Sequence, residues 1–432
     1  MNDDPTVLLT AQGQELLARL AAEPDSGGLA LAVRLRREYP ADLVAAATAQ
    51  HELRLAARAK FSRAADMLFT RSGYEQSSSE PIARYRAERL GDARARRVAD
   101  LCCGIGGDLL ALAPGRAALA VDRDEVHARL ALHNAAVYGA AENVRALVAD
   151  VRDLRLAGLD AVFIDPARRS GPGTAAGRGG GSSGAARRFR AGLSEPPLEW
   201  CFALADRVPA VCVKAAPGLP LDLLPDGWEA EFIADGRDLK EAVLWSPALA
   251  TAPPAGSAGS DGPRRATVMS GTAPRTLVAC PGDPVPVTEP GEYLLDPNPA
   301  VTRAGLVEDL ARSLSTAGVA AAAAGIGVGG GVADGGSVAK IDPRIAFLTL
   351  NWPAQTPFAR TLRVLDSAPW NEKRFAKRLR ELGIGAADIR RRGLAGDVDQ
   401  IHRRLKLAGP NHGTIVITRV NDKPWGLICT GP

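Results

Sequence analysis

Val98-Ala99-Asp100-Leu101-Cys102-Cys103-Gly104-Ile105-Gly106-Gly107-Asp108 reads as a short apolar strand that runs into a glycine loop and opens a helix. Outward from it the texture repeats. Apolar runs at 98–101, 118–122, 144–150, 161–165 and 208–214 alternate with helical stretches at 108–113, 125–138 and 198–206. Buried strands separated by helices predict an α/β domain with a parallel, doubly wound sheet over residues 91–250. Residues 228–234 and 240–245, joined by Asp235-Gly236-Arg237-Asp238, predict a hairpin that closes it.

The flanks read differently. Residues 1–90 form a helical N-terminal extension: Leu16, Leu17 and Leu20 sit at helical spacing, and Asp42 is placed to cap a run through Leu43, Leu53 and Leu55. Pro81 suits the first turn of a further helix carrying Ile82, Tyr85 and Leu90. The Gly/Ser-rich stretch 170–184 predicts a flexible loop inside the sheet domain, and 251–263 a Pro/Gly/Ser linker. A β-rich connecting region follows at 264–355, with a helix near 300–314 and a flexible insert at 317–336. Residues 360–432 then alternate strands and helices as a small α+β module separate from the first sheet.

Composition narrows the function classes. With 24 % charged and 46 % hydrophobic residues over 432 positions, the chain is neither disordered nor collagen-like despite its 45 Gly and 31 Pro. Met1-Asn2-Asp3-Asp4-Pro5 lacks the basic start and apolar run of a secretory signal, and the Ala/Gly stretch 318–333 lacks the Leu, Ile and Phe of a bilayer span. A cytoplasmic protein without membrane contact is expected. Six cysteines without C-x-x-C and five histidines without H-x-x-x-H predict reduced thiols and no metal site. The net charge of +4 conceals clustering. Residues 360–406 hold 13 Lys/Arg against 6 Asp/Glu, residues 54–97 hold 11 against 5, and residues 168–190 hold 6 Arg and no acid. Such segments suit a polyanion such as RNA, or they are solvated helix faces. Nothing in the sequence fixes an oligomeric state.

The glycine loop carries the chemistry. A dinucleotide fingerprint needs glycine at 109, which is Leu, and no G-x-x-x-x-G-K-[ST] is present. Asp100 at the strand end can instead face a cationic ligand, and S-adenosylmethionine has that character, with sulfonium and ammonium charges and no pyrophosphate. Gly104 and Gly106 let backbone approach it without a Cβ in the way. Asp122 ends the second strand, where a carboxylate can accept ribose hydroxyls; Asp150 ends the third, facing an adenine amino group; Asp165 ends the fourth, beside the methyl to be transferred. Each Asp alone could be a helix cap, but four follow four successive strands. Cys102, Arg123 and Val151 complete the candidate cofactor set.

Segment 98–169 resembles the class I methyltransferases, and within them the trimethylguanosine synthase group of RNA methyltransferases. The likeness lies in Asp-Leu-Cys-Cys-Gly-Ile-Gly-Gly, Ala120-Val121-Asp122 and Asn134-Ala135-Ala136-Val137-Tyr138-Gly139. It implies a Rossmann-like class I sheet, S-adenosylmethionine as cofactor and structured RNA, ribosomal or transfer, as partner. Residues 69–78 and the helix over 81–90 resemble that group's segment closing over the cofactor, which implies that Thr70, Ser77 and Ser78 line the pocket. Residues 360–429 are similar to a THUMP-like domain. The fourth strand departs from the Asp/Asn/Ser-Pro-Pro-aromatic ending of amino-directed enzymes and reads Asp165-Pro166-Ala167-Arg168-Arg169. Asp165 and the Pro166 carbonyl can still accept hydrogen bonds from an exocyclic amine and aim its lone pair. Arg168 would stack on the base or grip a phosphate, unless it simply faces solvent. Asp-Pro-x-Arg is also similar to 5-methyluridine RNA enzymes, which attack carbon through a cysteine; Cys212 lies inside the next strand and reads as a core thiol. Lys214 there is a phosphate contact, an acid/base group or a structural residue. The competing readings are a non-catalytic RNA binder on this fold, an enzyme methylating RNA carbon, and one acting on a non-RNA substrate.

Overall fold

The computed structural model describes residues 4–22, 29–92, 95–168, 194–251, 262–271, 273–279, 282–323 and 337–431. The loop expected at 170–184 lies outside them, as do residues 324–336 of the insert expected at 317–336.

Helices α1 (Ala11–Ala22), α2 (Leu29–Leu35) and α3 (Ala41–Ala57) make the N-terminal extension. Leu8, Leu16, Leu17, Leu20 and Val44 close a small core that continues through Phe61 and Phe69 to Ile105 of the glycine loop and Leu130. The extension is thereby packed onto the sheet domain at the site. Asp42 lies in the first turn of α3, and the cap position is Pro40. Two more helices, α4 (Arg71–Gln76) and α5 (Glu80–Asp92), lead into the sheet.

The central strands form where the sequence predicted them: β1 (Arg97–Leu101), β2 (Ala117–Asp122), β3 (Val144–Val148) and β4 (Ala161–Ile164), with α6 (Leu109–Leu112) and α7 (Glu125–Val137) between them. β5 (Ala167–Arg168) and β6 (Ser194–Glu195) make a short antiparallel pair beyond β4. After α8 (Leu198–Phe202) come β7 (Ala210–Ala215) and the hairpin β8 (Glu229–Asp235) and β9 (Asp238–Trp245). β3, β2, β1, β4 and β7 run parallel in that spatial order, and β9 then lies antiparallel between β7 and β8.

Two results differ from the expected boundaries. β10 (Arg264–Ser270) pairs parallel with β8 and β11 (Ala273–Val278) pairs with β10, so residues assigned to the connecting region extend the first sheet to nine strands. The remainder of that region joins the C-terminal module. There β12 (Tyr293–Pro297), β13 (Ala339–Lys340) and β14 (Leu348–Leu350) pair with β15 (Ala359–Pro369), β16 (Ile384–Arg391), β17 (Asn411–Val420) and β18 (Lys423–Thr430) in the order β13-β14-β12-β15-β18-β17-β16. The helix expected at 300–314 is two, α9 (Pro299–Ala304) and α10 (Val307–Ala323), broken at Gly305, whose φ of +70° ends α9. α10 also takes residues 317–323 into helix. Helices α11 (Glu372–Glu381) and α12 (Val398–Leu405) cover one face of the second sheet, packing on Ile415, Ile417 and Ile428. No helix of the described residues is long and apolar enough to cross a membrane.

Candidate active site

A cavity of about 1030 Å³ opens at the carboxyl ends of β1, β2, β4 and β7, where ligands of open α/β sheets bind. Among its walls are Ser77, Ser78, Asp100, Cys102, Gly104, Asp122, Arg123, Asp150, Val151, Asp165, Pro166 and Lys214. Thr70 and Gly106 are absent from its lining, and the Arg168 side chain lies outside the described residues. Thr70 instead caps α4, its hydroxyl accepting from Gly73 N at 3.0 Å. Gly106 serves packing: at φ +82° a Cβ there would sit 3.1 Å from the Ala131 Cα of α7.

The floor is electrostatically incomplete. Asp100 is 1 % exposed, and neither carboxylate oxygen has a hydrogen-bond partner. Burial, then the neighbouring Asp108, Asp165 and Asp122 carboxylates, push its pKa well above the usual range, with Arg86 pulling the other way. An orphaned, buried acid on a cavity wall calls for a cationic ligand, since burying an unpaired charge is costly. This chemistry fits a sulfonium or ammonium group.

Asp122 is held in place by backbone N–H groups and His127. Its Oδ2 accepts from Gly104 N at 2.8 Å and its Oδ1 from Asp124 N at 3.0 Å, while His127 Nδ1 stands 3.7 Å away. Burial raises the Asp122 pKa, but the contacts from His127 and the two N–H groups outweigh it, and the net position is below the ordinary value. The same contact lifts His127 above its own.

Asp150 also lines the cavity, with a partner of its own. Arg152 holds both of its oxygens, with Nε at 2.9 Å and Nη2 at 2.6 Å, and reaches Glu195 at 2.8 Å. Those hydrogen bonds bring the Asp150 pKa down to about 2. Both of its oxygens are thus oriented by Arg152.

At the other end, Asp165 follows β4 and Pro166 is buried. Lys214 Nζ donates to Asp165 Oδ2 at 2.6 Å and to the Gln76 carbonyl at 3.3 Å, fixing one oxygen and leaving the other. Cys212 is fully buried inside β7, does not reach the cavity, and burial pushes its thiol up. Burial also raises the thiols of Cys102 and Cys103, which are therefore poor nucleophiles at neutral pH.

Several residues that hold this geometry are not among the candidate site residues read from the sequence. Asn134 accepts from Leu68 N at 2.9 Å and donates to the Leu68 and Ile105 carbonyls at 3.0 and 2.9 Å, tying α7 to the glycine loop and the N-terminal segment. Lys60 donates to the Tyr74 and Ser77 carbonyls at 2.7 and 2.9 Å, closing the α4 end that roofs the cavity. Arg86, 1 % exposed, pairs with both Asp108 and Glu241, and Glu241 accepts from Ser78 Oγ at 3.0 Å. Only Asn134 lies in a stretch that the family resemblance singles out.

Comparison with known proteins agrees with this geometry. Residues 95–173 match a family described as RNA cap guanine-N2 methyltransferase, residues 359–431 one described as THUMP domain-like, and residues 3–57 a domain of unknown function. Two relatives, uncharacterized S-adenosylmethionine-dependent methyltransferases from two strains of Mycobacterium tuberculosis, are each 34 % identical over 360 residues, covering 82 % of this chain and 85 % of theirs. A crystal structure provisionally assigned as a methyltransferase, from Porphyromonas gingivalis W83, shares the fold at 20 % identity and a TM-score of 0.66, over 90 % of this chain and 91 % of that one. The sheet, its glycine loop and the acid-lined cavity thus define a Rossmann-like methyltransferase fold. The chain belongs to the S-adenosylmethionine-dependent methyltransferases.

Proposed function

We propose that this methyltransferase modifies RNA, at an amine of a base. The observation that carries the reading is Asp165-Pro166 opening onto the same cavity as the unpaired Asp100, so that acceptor-orienting and cation-binding groups share one space. S-adenosylmethionine supplies a sulfonium-bound methyl group. Asp100 would neutralise its cationic end, Gly104 would leave room beside it, and Asp122, held by His127, would take the ribose hydroxyls. Ser77 and Ser78 would close the roof, with Cys102, Arg123 and Val151 along the walls.

The free Asp165 oxygen and the Pro166 carbonyl would accept the two N–H bonds of the amine, turning its lone pair toward the methyl; such orientation supplies most of the catalysis available to a direct transfer. The nitrogen forms the new bond to carbon, the carbon–sulfur electrons return to sulfur, and the nitrogen sheds a proton to Asp165 or water. Lys214 is a positioning residue here, since it aims the carboxylate. Arg168, next along on β5, is proposed to meet the base or its phosphate. The burial of Cys212 speaks against carbon methylation through a cysteine. The RNA-directed and THUMP domain-like family matches support an RNA substrate, and with it a cytoplasmic site of action.

Mass spectrometry of nucleosides in RNA from cells with and without the gene tests this reading. One methylated amino nucleoside is expected to vanish on deletion and to return with the wild-type gene. An unchanged nucleoside profile would refute it.

A further inference from the structure

The basic helices α11 and α12 are the obvious polyanion surface in the sequence, yet their position and pairing weaken that role. They pack on the face of the second sheet that carries Ile415, Ile417 and Ile428. Part of their charge is internally matched: Arg378 pairs with Asp366 at 3.0 Å and Glu381 at 3.1 Å, Arg404 with Glu372 at 3.7 Å, and Lys377 with Glu381 at 3.9 Å.

The opposite face is built differently. Strand alternation puts Asp296, Arg360, Asp388 and Arg390 on the face shared with Thr414 and Val416: Asp296 registers with Arg360, Asp388 with Thr414, and Arg390 with Val416. The β8–β9 turn of the first sheet docks onto this face. Arg237 Nη2 reaches Asp296 Oδ2 at 2.8 Å, Arg392 takes the other oxygen at 3.0 Å, and Asn298 donates to the Gly236 carbonyl at 2.8 Å. Asp235 and Lys240, on either side of the same turn, line the cavity. The seam between the two sheets is therefore continuous with the mouth of the active site.

Its charge does not balance. Of its four arginines, Arg237 and Arg392 hold both oxygens of Asp296, Arg360 stands 3.9 Å from Asp388, and Arg390 makes no ion pair among the described residues, while Asp238 of the turn is taken by Lys240 at 2.6 Å. Burial lowers the Arg237 pKa first; Asp296 opposes this, and Arg390, Arg360 and Arg392 lower it again, as expected beside surplus positive charge. Arg390 is exposed and, among the described residues, makes no ion pair.

We propose that the seam formed by Arg237, Arg360 and Arg390 around Asp296 grips the phosphate backbone of the RNA substrate beside the cavity mouth. The inference rests on the RNA-directed reading above. Arginine forks held rigidly on two sheets suit successive phosphates of one strand, whereas α11 and α12 lie across the sheet from the chemistry. Arg237 and Arg392 are partly spent on Asp296, which leaves Arg360 and Arg390 as the principal phosphate ligands.

The test measures binding of fluorescently labelled bulk tRNA and ribosomal RNA fragments to the full chain across a salt series. It compares wild type, Arg390→Gln, the pair Arg360→Gln/Arg390→Gln, and the control pair Arg374→Gln/Lys377→Gln on α11. The seam pair should weaken RNA binding about tenfold and flatten the log–log salt dependence by roughly 0.7–0.9 for each phosphate no longer neutralised. Arg390→Gln alone should show about half the slope change, and S-adenosylmethionine affinity should not move. The single variant alters an exposed side chain without an ion pair, so it keeps the test valid should the pair destabilise the seam. If the seam variants keep wild-type affinity and slope while the α11 pair loses both, the inference is overturned and RNA binding still stands. If the wild-type chain binds neither RNA, the RNA-directed reading fails and takes this inference with it.

Discussion

Replacing Arg86 with Met is expected to destabilise the sheet domain by about 3–5 kcal/mol. The side chain is 1 % exposed, pairs with Asp108 at the mouth of the glycine loop and with Glu241 on β9, and lies over the Phe163 ring at 5.2 Å. Removing the cation leaves two buried carboxylates, Asp108 and Glu241, without their counter-charge. The loss then comes from the desolvated acids and not from the missing packing, which Met largely replaces. Denaturant titration of the wild type, Arg86→Met and Arg86→Met/Glu241→Gln should therefore give a large loss in the single variant and partial recovery in the double one. Since Arg86 joins α5 to the loop beside the cavity, the single variant should also bind S-adenosylmethionine more weakly. A loss under about 1 kcal/mol would mean that the pair contributes no more than a surface ion pair.

Asp165→Ala should leave S-adenosylmethionine affinity within about threefold of wild type, yet lower the rate of methyl transfer to RNA by at least about a hundredfold, because orientation of the acceptor is gone. Lys214→Met should fall between the two, since Asp165 keeps its acceptor oxygens but is no longer held by the 2.6 Å hydrogen bond that fixes one of them. Lys214→Arg should restore part of the rate, a recovery that a merely structural lysine would not predict. Single-turnover transfer of a tritiated methyl group, with cofactor affinity measured separately, distinguishes these outcomes. Equal rates for Asp165→Ala and wild type would remove Asp165 from the chemistry.

How much of this was legible in the sequence follows from where the partners lie along the chain. The five parallel strands were readable because each is a contiguous apolar run, four of them with an acid at or just past the end, a local pattern. β10 and β11 were legible as strands of a β-rich region but not as members of this sheet, because that membership depends on pairing with β8 across a Pro/Gly/Ser linker, and the linker suggested a boundary. The C-terminal sheet likewise recruits Tyr293–Pro297 through its register with β15, more than sixty residues on, which no local signal announces. In the site, Asp100 and Asp122 followed from strand-end position. The capture of Asp150 by Arg152 did not, since an arginine two residues on is not a motif. Arg86 sits on a helix among ordinary polar residues, and Asn134 was visible only as part of a family-like stretch; the fold turns both into buried ties between distant segments. Gly106 was recognised as a required glycine for the wrong reason: the close approach it permits is to α7.

The central claim is that an acid left unpaired in the free protein receives the charge of the methyl donor. Calorimetric titration of S-adenosylmethionine into wild type and Asp100→Asn, over a series of pH values, tests it most directly. Because burial and neighbouring carboxylates raise the Asp100 pKa in the free site, and a bound cation lowers it, binding should release a proton and weaken as pH falls through the raised value. Asp100→Asn should abolish that pH dependence and cost about a hundredfold in affinity at neutral pH, while the variant without ligand melts higher because folding no longer has to hold a buried carboxyl protonated above its ordinary pKa. An Asp100→Asn protein that binds the cofactor as tightly as wild type at every pH would contradict the account.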